Sequence, residues 1–281
     1  MKPKNKKLVF FFFAVFFPIL LCVFYFFIFL NTVLSEQDAF TMVYGNYDRA
    51  HKSALWKDMN IPHIEKFGKD IWRNKIGVVS LVFFKPFIED RKHKIFFITK
   101  TIPTGQPYEC HACLPILNAT VFIRNKRTWE IESQNLFLIQ EGEYAASPIA
   151  HLVQIGPDRY GVTLECEHRS GEFLTKDVYL IIPHKKSIMN ALEETIYYDN
   201  FNACGWGTPC TTFSTTLYFD KAHHDDELYP LKIKRFGTRN DEKQHDRAVP
   251  VDEESTYQFR LGKYIQIDWK GFPKIDYEIS Q

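Results

Sequence analysis

From Leu8 to Leu30 the chain runs 23 positions without a charged residue, and ten of these positions are phenylalanine. As a helix rising about 1.5 Å per residue the run reaches roughly 35 Å, enough to cross a hydrocarbon core of about 30 Å. Lys2, Lys4, Lys6 and Lys7 precede it and Glu36 and Asp38 follow it. The positive-inside rule therefore keeps the N-terminus in the cytoplasm and delivers the rest of the chain to the far side. Pro18 falls in mid-segment, where it kinks a lipid-embedded helix without breaking it. The alternative is a signal peptide cut near Ser35, although the apolar core of such a peptide normally spans only about 7–15 residues. Anchored or secreted, the C-terminal mass is expected in a periplasmic or extracellular space.

The chain divides on this reading into a lysine-rich tip and anchor over residues 1–35, a linker with room for a short helix over 36–61, and one exported domain over 62–281. That domain is long enough to bury a core without metals or crosslinks. Setting aside the four leading lysines leaves 31 basic against 34 acidic residues, a balance of −3. A domain with that balance has no basic stripe for phosphates, so nucleic acid is excluded as a partner class.

Asn60 and Pro62, followed by Ile64, Phe67 and Ile71 on one helical face, predict a short helix over residues 62–72. After Gly77 the period becomes that of strands. Val78–Phe84 and Ile95–Ile98 flank the charged turn Glu89-Asp90-Arg91-Lys92 and predict a hairpin buried on both faces. Tyr160, Val162, Leu164 and Cys166 alternate with Gly161, Thr163, Glu165 and Glu167, and Phe213, Thr215, Leu217 and Phe219 alternate with Thr212, Ser214, Thr216 and Tyr218. These are half-buried antiparallel strands. Further strands are expected at 119–124, 128–138, 177–182, 194–199 and 229–236. Gly156-Pro157-Asp158-Arg159 marks one turn and Gly262-Lys263 a type II′ turn. The charge-dense stretch 237–254, with Pro250, reads as a surface loop. Repeated hairpins without strand–helix alternation predict an all-β domain, either a sandwich or a propeller-like stack of small sheets.

Six cysteines occur. Cys22 lies in the apolar run, and Cys166 falls on the apolar face of its strand, where it reads as a buried thiol. Cys204 and Cys210 bracket a Gly-Trp-Gly-Thr-Pro loop and are expected to form a local disulfide in an oxidising compartment. Cys110-His111-Ala112-Cys113 carries three readings: a structural disulfide, a redox pair, or metal ligands. The redox reading needs the first cysteine at a helix N-terminus, but Leu114–Leu117 leads instead into a strand-like Thr120–Ile123. His223, His224, Asp225 and Asp226 form a further candidate cation site, against the simpler reading of a solvated charged loop. Asn118-Ala119-Thr120 matches the N-glycosylation sequon.

The Cys-His-Ala-Cys segment, with Val121-Phe122, Trp129, Gly142, Pro148, Val153–Gly156 and Tyr160-Gly161, resembles a family of uncharacterised exported bacterial proteins with this segment before a β-rich region. The resemblance implies a location in the bacterial envelope and brings no activity or binding residues. No catalytic fingerprint or cofactor motif is present. The expectation is a non-catalytic binding or structural module, held in the membrane through residues 8–30, whose partner is a protein, glycan or small ligand. The rival is a thiol-dependent redox protein using Cys110, His111 and Cys113.

Overall fold

The computed structural model describes residues 33–57, 76–104, 115–141, 147–171, 173–201, 204, 209–223, 227–241 and 247–269. The apolar run at 8–30 and the helix expected over 62–72 lie outside them. No helix among the described residues is long and apolar enough to cross a membrane.

One helix, α1 (Glu36–Tyr44), is followed by thirteen strands among the described residues. A first sheet holds β1 (Ser53–Trp56), β2 (Gly77–Glu89), β3 (Lys92–Pro103), β4 (Ile116–Asn125) and β5 (Thr128–Gln140) in that order. A second holds β6 (Ile149–Gly156), β7 (Arg159–Ser170), β8 (Phe173–His184), β9 (Ser187–Asp199), β10 (Thr212–Phe219), β11 (Leu231–Asn240), β12 (Ala248–Arg260) and β13 (Lys263–Trp269). Every strand pairs antiparallel with its neighbour in sequence, so both sheets are pure meanders. The all-β reading holds, and stacked sheets replace the propeller alternative.

Where the sheets face each other, Phe87, Phe96, Ile98, Leu117 and Val121 of the first meet Val162, Leu164, Tyr179, Ile181 and Ile188 of the second. Strand β3 is buried on both faces, as the unbroken Ile95–Ile98 run requires, because α1 covers its other side. Phe40 of α1 meets Phe97 edge-on with ring centroids 5.1 Å apart. The helix begins where Ser35 and Asp38 form a capping box and ends at Gly45, in the left-handed region at φ 76°. Part of the expected linker is thus a packed piece of the domain, with Ala39 and Phe40 buried, and so is Leu34 just before it.

The second sheet bends sharply. Only Thr212–Ser214 of β10 pair with Tyr197–Asp199 of β9, and β10 to β13 fold back over the face of β6–β9 turned away from the first sheet. Leu180, Ile182 and Leu192 are covered there by Leu231, Ile233 and Tyr264, which makes a third layer.

Two expectations need correction. The last hairpin turns at Leu261-Gly262, not Gly262-Lys263: Arg260 pairs with Lys263, and positive φ at both central residues gives a type I′ turn. Within the expected loop 237–254, residues 237–240 and 248–254 are strand: Thr238 pairs with Pro250 and Arg239 with Val249. Charges on these strands meet across them, with Arg239 Nη1 3.3 Å from Glu253 Oε1 and Lys234 Nζ 3.9 Å from Asp252 Oδ1, so charge density there marks a wetted sheet face.

Candidate functional site

Cys204 and Cys210 form the expected disulfide, their Cα atoms 4.7 Å apart. It closes the β9–β10 connection beside the corner of the second sheet. There the Asn200 side chain donates to the Pro209 carbonyl at 2.9 Å and accepts from the Thr211 N–H at 2.6 Å. Cys110, His111, Cys113, His224, Asp225 and Asp226 lie outside the described residues. His223 is described, 3.7 Å from Asp220. That carboxylate also faces Lys232 Nζ at 2.9 Å, and the Lys232 hydrogen bond first and then the Ala222 N–H hold its pKa below the ordinary range. Among the described residues no three His, Cys, Asp or Glu side chains converge as a metal site. Asn118 is 1% exposed, and its side-chain amide donates to Thr101 Oγ1 at 2.8 Å, so the sequon is closed to modification in the folded chain.

Two sites emerge that the motifs did not mark. The first is a cleft of about 410 Å³ between β6–β9 and the folded-back β10 and β11. Its floor is Val178, Leu180, Leu192 and Leu231, all buried, and its walls are Val153, Ile196, Leu217 and Phe219. Polar groups enter at Thr163, Glu165, Thr215 and, on the exposed rim, His151 and Thr216. The cleft exists because alternation places Thr163 and Glu165 opposite Val162 and Leu164, on the face that the third layer then covers.

Hydrogen bonds tie the two leaves around the cleft. Arg235 on β11 reaches across to Glu194 on β9, donating from Nε at 2.8 Å and from Nη2 at 2.6 Å to the same oxygen. Burial outweighs the guanidinium and raises the Glu194 carboxyl above its ordinary value, while Arg235, lowered by burial, is held up by the facing carboxylate. Elsewhere the Tyr229 N–H donates to the Ile155 carbonyl at 2.7 Å, and the buried Tyr264 hydroxyl donates to the Tyr229 carbonyl at 3.1 Å. A cavity of this size with an apolar floor and a few polar groups at its edge has the form of a small-molecule site.

The second site is at the seam between the sheets. His168 Nε2 lies 3.2 Å from Glu141 Oε2 and 3.6 Å from Asp177 Oδ2, and Cys166 sits two residues away on the same face. Burial, with the Glu141 and Asp177 carboxylates nearby, pushes the Cys166 thiol up to about 12. A group held protonated at neutral pH is a poor nucleophile. Iodoacetamide at pH 8 is therefore expected to leave Cys166 unmodified in the folded chain and to modify it once urea unfolds the domain. Rapid native labelling would place the thiol outside the seam.

Spacing on β7 signals the second cluster, since Cys166 and His168 alternate onto one face; its carboxylates come from elsewhere in the chain. The cleft has no sequence signal beyond ordinary alternation. Searches of family models, curated proteins and solved structures find no match to this chain.

Proposed function

We propose that the chain is a membrane-anchored, extracytoplasmic binding module that holds the apolar part of a small amphipathic molecule in the cleft of its second sheet. The observation that carries this reading is the cleft itself, about 410 Å³ with a floor of four buried aliphatic side chains. The location rests on the uncharged run at 8–30 with lysines before it, and it is supported by the Cys204–Cys210 disulfide, a bond that persists in oxidising compartments.

Asn31, Thr32 and Val33 alone separate the apolar run from Leu34, whose side chain is 5% exposed in the domain core. At about 3.5 Å per extended residue such a tether spans roughly 10 Å. The domain then rests close to the bilayer surface, where amphipathic molecules concentrate.

The test uses the full chain in nanodiscs of phosphatidylcholine and an alkanol with a photoreactive tail. Photolysis is expected to label peptides from β9 and β10. Leu217→Trp grows a half-buried wall residue into the cavity and is expected to cut that labelling about tenfold, as loss of a buried apolar contact surface of this size implies. Undiminished labelling in the Leu217→Trp chain, with circular dichroism unchanged, would place the ligand elsewhere.

A further inference from the structure

We infer that the cleft selects a single-chain amphiphile with a protonated amine head group, bound to the Glu165 carboxylate. The inference rests on the proposed binding function of the same cleft and adds the chemistry of its ligand.

Among the described residues Glu165 is the one carboxylate lining the cleft, and no lysine or arginine lines it beside Glu165. The carboxylate is half-buried, and among the described residues it makes no hydrogen bond or ion pair. Two neighbouring carboxylates are paired instead: Glu194 with Arg235, and Glu167 with Lys176 and Arg169. An ammonium bound beside this carboxylate supplies the charge-assisted hydrogen bond that no side chain among the described residues gives it.

Position agrees with charge. Glu165 pairs in register with Val178 of β8 and with Ile149 of the edge strand β6, so it stands at one end of the apolar floor. Leu180 follows Val178 on the same face about 7 Å further along, and Leu192 pairs with Leu180 across β9. A head group at Glu165 therefore lays its tail along Val178, Leu180 and Leu192. The exposed His151 on the rim offers a second polar contact. An anionic head group in the same pose meets the Glu165 charge unscreened by any lining cation.

The experiment compares three probes with the same saturated photoreactive tail, an alkylamine, an alkanol and an alkanoate, on the full chain and on its Glu165→Gln variant in phosphatidylcholine nanodiscs. These lipids carry no net charge, so probe partitioning is the same for both chains. The amine is expected to label the cleft about tenfold more than the alkanoate, and Glu165→Gln is expected to remove that preference while leaving alkanol labelling unchanged, the difference of one charge-assisted hydrogen bond. Equal labelling by amine and alkanoate on the native chain, or an amine signal untouched by Glu165→Gln, overturns the head-group assignment while the cleft reading stands on the alkanol signal. Absence of cleft labelling by all three probes overturns both.

Discussion

Lys94→Met is expected to destabilise the domain by about 3–5 kcal/mol, the loss typical of stripping one partner from a buried ion pair. Lys94 Nζ lies 2.5 Å from Glu89 Oε2 and 2.7 Å from Glu132 Oε2, and the Lys94 and Glu89 side chains are 7% and 4% exposed. Glu89 also accepts the N–H of Tyr160 at 3.3 Å, a bond from the second sheet to the first. Removing the ammonium leaves Glu89 buried with that N–H and the more distant Arg159, 3.8 Å away, as its company. Glu89→Gln added to Lys94→Met removes the orphaned charge and keeps an oxygen for the Tyr160 N–H. The double variant is expected to recover most of the loss in urea unfolding. A single variant costing under about 1 kcal/mol, with no recovery in the double, would mean that the pair is not desolvated.

The same pair sets an alkaline limit. Burial alone lowers the Lys94 pKa, but the hydrogen bonds it donates to Glu132 and Glu89 outweigh it and hold it above the ordinary lysine value of 10.5. A lysine raised in the folded state contributes stability that is fully present below its unfolded value and lost as the pH climbs through the folded one. The domain is therefore expected to lose stability above pH 10.5, and less steeply in the double variant.

Such a pair shows how far the sequence could be read. Glu89 to Lys92 was legible as a turn because four charged residues separate two apolar β-rich runs. That Glu89 turns inward to meet Lys94 depends on the β-bulge between Leu81 and Phe83, which shifts the strand's register and has no signature in composition. The same holds for the cleft. Thr163 and Glu165 alternate with Val162 and Leu164 as solvent-facing residues do, and they are covered because the sheet folds back at the β9–β10 corner. Residues 248–254 failed as a strand assignment because their charges mimic a loop, whereas paired charges across a wetted face serve a strand equally well. Short-range chemistry such as the Cys204–Cys210 loop was legible; bends that bring distant faces together were not.

The bend itself makes the sharpest prediction. Gly237 pairs with Phe213 at the corner with φ at +133°, a conformation that is almost closed to residues with a side chain. A Cβ there would lie 2.3 Å from the Thr212 carbonyl oxygen and 2.7 Å from the Phe213 Cα, both backbone atoms. No rotamer change relieves such a collision, so β10 must move, and only three residue pairs hold β10 to β9. Gly237→Ala is expected to cost about 3–5 kcal/mol, backbone strain of about 1–3 kcal/mol plus the displaced strand pairing. Photolabelling of the cleft is expected to fall with it, because Thr215, Leu217 and Phe219 form the wall that moves. Gly45→Ala isolates the backbone share: its φ is +76° and a Cβ there meets nothing within 4 Å. That variant is expected to lose only about 1–2 kcal/mol and to leave labelling intact. Equal losses from the two substitutions would show that the corner yields freely, and the proposed binding cleft would then lose the rigid wall it needs.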